Sequence, residues 1–219
     1  MKHRPILIAA LSMFLLSCGG NQNAATSQPS AAEPPLDTIA SEPATAQIAL
    51  HPEAHYDSNS TFIVVSKQDT RLTVYARSNQ GDTIALASYP ACMGKNRGDK
   101  QAKGDMRTPE SPAGRPFSIT MIQDASTWHH DFGDGRGSIL AYGHWFLRLD
   151  TPGHSGIGIH GSTGNENTVP GRASEGCIRL LDKDIISLKE NYARVGMPVI
   201  VKGEQQGLLP FERRCVAMP

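Results

Sequence analysis

Ile157-Gly158-Ile159-His160-Gly161-Ser162 ends in a histidine set among small residues, and a little further on Ala173-Ser174-Glu175-Gly176-Cys177-Ile178-Arg179-Leu180 sets a cysteine in a similar frame. Gly156–His160 reads as a strand that delivers His160 to its end. The Gly/Asn-rich segment after it reverses the chain, and a turn of small residues then offers Cys177 beside the histidine. A free thiol has a pKa of ~8.5 and is little ionised at neutral pH, so an imidazole that takes its proton, and later returns it to a leaving amine, makes the sulfur an effective nucleophile. Gly176 lacks a Cβ, which lets a substrate carbonyl approach, and the N–H groups of Gly176 and Cys177 are expected to face the oxygen that becomes negative in a tetrahedral intermediate. A lone Cys is usually a small hydrophobe, but these glycines, with Ser174 and Arg179, serve no obvious packing need, which favours catalysis.

Working outward, short apolar runs bounded by Gly, Pro, Asn or Asp predict strands at Thr61–Ser66, Leu72–Ala76, Thr83–Tyr89, Phe117–Ile122, Trp145–Leu149 and Met197–Lys202. Only Lys183–Tyr192 carries a helical pattern. Asp182 is its expected N-cap, Ile185, Leu188 and Tyr192 share a face, and Gly196 lies beyond its end. The fold class is therefore mainly β, a sandwich or partly open barrel with one helix after Cys177.

The chain has 219 residues with 21 basic and 21 acidic side chains, and no cluster of Lys or Arg marks a phosphate-binding surface, which argues against a nucleic-acid partner. Hydrophobic residues make up 39%, enough for one core with a polar extension. Lys2, His3 and Arg4 precede an apolar run, Pro5 to Leu16, that is too short to span a bilayer and reads as an export signal. Its end, Leu15-Leu16-Ser17-Cys18, resembles a bacterial lipobox, so residues 1–17 are expected to be a lipoprotein signal peptide and Cys18 the lipidated anchor. Residues 18–55, rich in Ala, Ser, Pro, Gln and Thr, lack the apolar residues to form a core. They are expected to be a disordered tether with a span of ~35 Å.

The His-Gly-Ser of 160–162 followed by Ser-x-Gly-Cys-Ile-Arg at 174–179 resembles the signature of the L,D-transpeptidase catalytic domain, also called YkuD-like. Gly94-Lys95-Asn96 and Gly104-Asp105-Met106-Arg107-Thr108-Pro109 resemble that family's segments upstream, and Tyr142 to His160 its approach to the histidine. The resemblance runs from about Thr61 to Lys202 and assigns 56–203 to the catalytic domain and 204–219 to a C-terminal tail. It implies that Cys177 attacks the carbonyl of the third residue of a peptidoglycan stem peptide and forms a thioester, with His160 as base and then acid. An amine acceptor resolves the thioester into a cross-link. Ser174 and Gly161 are expected to shape the pocket and hold the His160 tautomer, and Arg179 to bind a substrate carboxylate or brace the turn. No metal or other cofactor is required, and a monomer is expected, joined to the membrane only by its lipid anchor. The location implied is the periplasmic face of the cell envelope, with the outer membrane favoured because Gly19 is not acidic. Two features depart from the family's pattern: the Thr-Pro segment is extended by Glu110 to Gly114, and Glu175 stands before Gly176, where it is expected to point to solvent.

Other residues are given quieter roles. His144 and His154 are expected in loop or surface positions. His129-His130-Asp131 match no metal-ligand spacing and read as a lid or hairpin tip. Cys92 and Cys215 are left either as a disulfide or as two free thiols. Two functional alternatives use the same sequence: a hydrolase in which water resolves the thioester, and a wall-binding lipoprotein without catalysis.

Overall fold

A computed structural model describes residues 47–217. The expected signal segment, Cys18 and most of the expected tether lie outside the described residues.

Twelve strands and two helices follow in the order β1 (Phe62–Ser66), β2 (Arg71–Arg77), β3 (Thr83–Pro90), β4 (Cys92–Gly94), β5 (Phe117–Asp124), β6 (His129–Asp131), β7 (Ser138–Leu140), β8 (Trp145–Leu149), β9 (Gly158–His160), β10 (Gly171–Ser174), β11 (Ile178–Arg179), α1 (Asp182–Asn191), β12 (Pro198–Lys202) and α2 (Pro210–Arg214). Ten strands form one mixed sheet, β10-β4-β11-β9-β8-β5-β12-β1-β2-β3, and β6 and β7 make a separate hairpin. Alternation decides the faces. In β1, Ile63 and Val65 enter the main core, while Phe62 and Val64 join the smaller cluster around Tyr75 and Ala85. The main core contains Leu72, Val74 and Leu86 from one end of the sheet and Ile159 and Ile178 from the other, so the sheet folds over a shared interior in the manner of a sandwich. The fold is mainly β, as the sequence implies. Its longer helix follows Cys177 and packs on β8 and β9, burying Ile185 and Leu188.

The ends of the described segment join this body. Ile48 pairs with Val216 and Leu50 with Ala85, so the folded body is wider at both ends than residues 56–203. The segment after Gly203 is fixed by charge as well as by apolar contact. Lys202 Nζ lies 2.6 Å from Glu212 Oε2, and both side chains are almost completely buried. The same carboxylate accepts the Leu209 N–H at the start of α2, where that donor has no partner inside the helix. Burial and the adjacent Glu212 carboxylate push the Tyr75 phenol far above its ordinary value, so its hydroxyl stays protonated and donates to Glu212.

Cys92 and Cys215 are both buried free thiols. Cys92 belongs to β4, whereas Cys215 sits in the Val64, Tyr75 and Ala85 cluster and donates to Thr83 O.

Removing one partner of a buried ion pair strands the other charge, at a cost of about 3 kcal/mol. Glu212→Ala is expected to lose about that much stability in urea unfolding. A loss below about 1 kcal/mol would show that the pair behaves as a solvated surface contact.

Candidate active site

Parallel pairing of β9 and β11 aligns Ile159 with Ile178 and His160 with Arg179. Side chains alternate along each strand, so both isoleucines enter the core while His160 and Arg179 share the opposite face; Cys177, two residues before Arg179, lies on that face too. Cys177, His160, Ser174 and Arg179 line one cavity of about 350 Å³ together with Tyr142, His154, Lys100 and Glu175.

The cysteine turn is held by its own backbone. Ser174 Oγ donates to Cys177 O at 2.5 Å and accepts the Gly176 N–H at 3.1 Å. Gly176 has φ +138°, and a Cβ there would lie 2.8 Å from Arg107 O, so both conformation and space call for glycine. The Gly176 N–H is thus committed to Ser174, contrary to the expectation that it faces the cavity. Among the described residues the Cys177 N–H has no such acceptor.

His160 is fixed from the other side. Its Nδ1 lies 2.7 Å from the Gly161 carbonyl, which can only accept, so Nδ1 carries the proton and Nε2 is left as the basic nitrogen. Gly161 is itself anchored, donating its N–H to Tyr142 O at 2.7 Å. A Cβ on Gly161 would collide with Asp182 Oδ1 and lie 2.8 Å from Gly143 Cα. Asp182 accepts the N–H groups of Ser162 and Thr163 and the Thr163 hydroxyl, clamping the loop beyond the histidine. The N-cap of α1 is Leu181 and makes no side-chain cap, so Asp182 acts as a tie to this loop in place of the expected cap. Ser174 contacts the cysteine turn and Gly161 contacts the imidazole, which separates two roles that the sequence left joined.

Aromatic rings wall the imidazole. Phe146 stacks on His160 at 5.6 Å between centroids, and Tyr142 lies 4.9 Å from it. Burial, then the Arg179 guanidinium, push His160 down to about 3, against the opposing Gly161 hydrogen bond. Burial also pushes the Cys177 thiol up, although the Gly158 backbone and the charges of Arg179, Lys100 and Arg148 work against it. The resting pair is therefore a neutral thiol and a neutral imidazole.

Three cationic side chains, Lys100, Lys103 and Arg179, line the cavity. Arg179 is 3% exposed, its Nε has no hydrogen-bond partner among the described residues, and its guanidinium lies 5.1 Å from the Phe132 ring. Lys100 is paired with Asp105 at 2.8 Å. Burial would raise the Asp105 carboxyl, but Lys100 and the N–H groups of Gln101, Ala102 and Arg107 outweigh it and hold the group well below the usual range. This loop rests on buried Lys67, which donates to Gly98 O, Thr108 O and Glu110.

His154 lies in the turn that begins at Thr151, a loop position as expected, and from there it lines the cavity, whereas His144 is exposed and borders a separate depression. His129, His130 and Asp131 form one arm of the β6–β7 hairpin, and Arg136 near its tip donates to Gly164 O and Asn165 Oδ1. Glu175 is half exposed, yet it does not simply face solvent: it lines the cavity and lies 3.2 Å from His130 Nε2. The sequence assigns no site role to Tyr142, Lys100, Asp182 or Phe146, because nothing in their local pattern separates them from ordinary strand, loop or cap residues.

A mainly β domain with a thiol and an imidazole on one face of paired strands is the setting in which residues 60–201 match the L,D-transpeptidase catalytic domain family, YkuD. The chain belongs to that family. Among solved structures it is similar to an L,D-transpeptidase from Mycobacterium smegmatis, with 20% identity, a TM-score of 0.45, and coverage of 66% of this chain and 59% of that one. It is also similar to Bd1075 of Bdellovibrio bacteriovorus, with 21% identity, a TM-score of 0.46 and coverage of 72% and 52%. For the helical cell shape determining protein Pgp2 of Campylobacter jejuni the values are 20%, 0.47, 74% and 54%. The chain thus spans between about half and three fifths of the length of these proteins. No curated protein matches it.

The neutral resting pair sets a pH signature. A thiol raised above its ordinary value is less ionised at pH 7 than a free cysteine, and a histidine lowered to about 3 does not titrate near 6.5. Alkylation of Cys177 by iodoacetamide is expected to keep rising through about pH 9 with no step near 6.5. A plateau below neutral pH would reveal a resting thiolate–imidazolium pair and contradict the neutral state.

Proposed function

We propose that this chain is an L,D-transpeptidase that forms peptidoglycan cross-links through a thioester on Cys177. The observation that carries this reading is the shared cavity of Cys177 and His160, with the imidazole held through Nδ1 so that Nε2 is its base. Sulfur attacks the carbonyl of the third stem residue as its proton passes to His160 Nε2. The bond to the terminal D-residue then breaks, and His160 returns the proton to the departing amine. The amine of a second stem attacks the thioester, the carbon–sulfur bond breaks, and a proton relayed through His160 restores the thiol.

The Cys177 N–H is the turn's donor to the intermediate's oxygen, and Tyr142 offers a hydroxyl from the same cavity that burial keeps protonated. Arg179, buried with a free Nε, is suited to a substrate carboxylate. His160 needs no proton removed before it acts as a base, since it is neutral at any physiological pH.

On this reading the domain works as a monomer at the periplasmic side of the envelope, on a tether from lipidated Cys18, with the outer membrane favoured over the inner. Cys18→Ser is expected to move the protein from the membrane fraction to the soluble one; unchanged fractionation would remove the lipid anchor from the account.

Purified protein incubated with a disaccharide-tetrapeptide is expected to give cross-linked dimers, detected by mass, and Cys177→Ala to give none. Shortened monomers alone would replace transfer with hydrolysis on the same residues. No product at all from the wild type would favour a wall-binding protein.

A further inference from the structure

Lys100, Lys103 and Arg179 supply positive charge to the cavity. Glu175 is the only acidic side chain lining the cavity among the described residues, and it stands two positions before Cys177. Its carboxylate is 46% exposed and lies 3.2 Å from the Nε2 of His130, which is itself 31% exposed. This pair is connected to the reacting groups by packed rings. His130 lies edge-on to Tyr142 at 6.3 Å, and Tyr142 lies 4.9 Å from His160.

A transfer reaction of the kind proposed above has two substrates with opposite needs. The donor stem ends in a carboxylate, which suits the cationic side chains. The acceptor arrives as an ammonium ion, and its nitrogen has no lone pair for attack until one proton leaves. An anion near the sulfur concentrates such a cation, and a solvent-connected imidazole can carry the proton away. His160 cannot do this first step as well, because it must remain neutral to take the second proton during attack.

We propose that Glu175 and His130 form the acceptor subsite, in which the Glu175 carboxylate holds the incoming ammonium group beside the thioester and the His130 imidazole accepts its first proton. The steps balance. The ammonium gives one proton to His130 and thence to solvent. The freed nitrogen lone pair forms the bond to the thioester carbon, and the carbon–sulfur bond breaks. The second N–H proton passes through His160 to the sulfur, so the products are an amide, the thiol and one released proton.

This inference rests on the thioester reading but can fail separately from it. The competing explanation is a surface ion pair that merely pins the β6–β7 hairpin, a contact that contributes little by itself. A structural role would affect every acceptor alike, whereas a binding role affects only a charged one.

The test compares products drawn from the same thioester, so the rate of acylation cancels. Wild type and Glu175→Gln are incubated with the disaccharide-tetrapeptide, with and without hydroxylamine, a nucleophile that is mainly uncharged at neutral pH. Glu175→Gln is expected to lower the ratio of dimer to hydrolysed tripeptide about tenfold, while the ratio of hydroxamate to tripeptide stays at the wild-type value. His130→Gln is expected to lower the dimer ratio in the same direction. An unchanged dimer ratio in Glu175→Gln, or a parallel fall in both ratios, overturns the subsite while leaving the thioester intact. A wild type that forms neither dimer nor hydroxamate overturns the function reading and the subsite together.

Discussion

The carboxylate of Asp182 accepts two backbone N–H groups and one hydroxyl from the segment just after His160, and the arrangement of the cavity follows from that tie. With Ser162 and Thr163 fixed, Gly161 lies against Gly143 and donates to Tyr142 O. Its carbonyl is then directed at His160 Nδ1, which selects the tautomer with a basic Nε2. No side chain larger than hydrogen fits at Gly161, since Asp182 and Gly143 occupy that space. One carboxylate at the start of α1 thereby links the helix, the loop and the chemical state of an imidazole.

The second half of the site is arranged by the Gly94–Glu110 segment and the cysteine turn pressing on each other. Arg107 O approaches Gly176 so closely that a Cβ is excluded. Lys67, fully buried beneath this segment, satisfies two of its carbonyls and Glu110. A buried charge held this way is costly unless each of its partners is present, so the loop has little freedom to shift away from the turn. The result is a thiol and an imidazole that are both neutral at rest, with ionisation left to the moment of attack.

Much of this was legible in the sequence. β1, β2, β3, β5, β8 and β12 are runs of β-branched and aromatic residues between turn formers, and each falls within a residue or two of its expected limits. The pairing of His160 with the cysteine segment was legible because glycines and small polar residues cluster at both. What escaped notice arises from distant partners. β4, β10 and β11 are two to four residues long and exist as strands only because they pair with one another and with β9. Asp182 has the residue type of a helix cap, and only its spatial neighbours at 162 and 163 reveal another use. α2 depends on a buried ion pair between Lys202 and Glu212 that no local pattern announces. The role given to the Gly176 N–H failed for a similar reason, since Ser174 reaches it first.

The neutral pair explains why covalent capture is the decisive observation: neither group announces its role by an unusual charge before substrate arrives. Rapid quenching of the protein with a disaccharide-tetrapeptide, followed by intact-mass and peptide analysis, reads the intermediate directly. A transient adduct equal to the donor less its terminal residue is expected, located on the peptide containing Cys177. Turnover of the donor with no such adduct, or with the adduct on another residue, would contradict it.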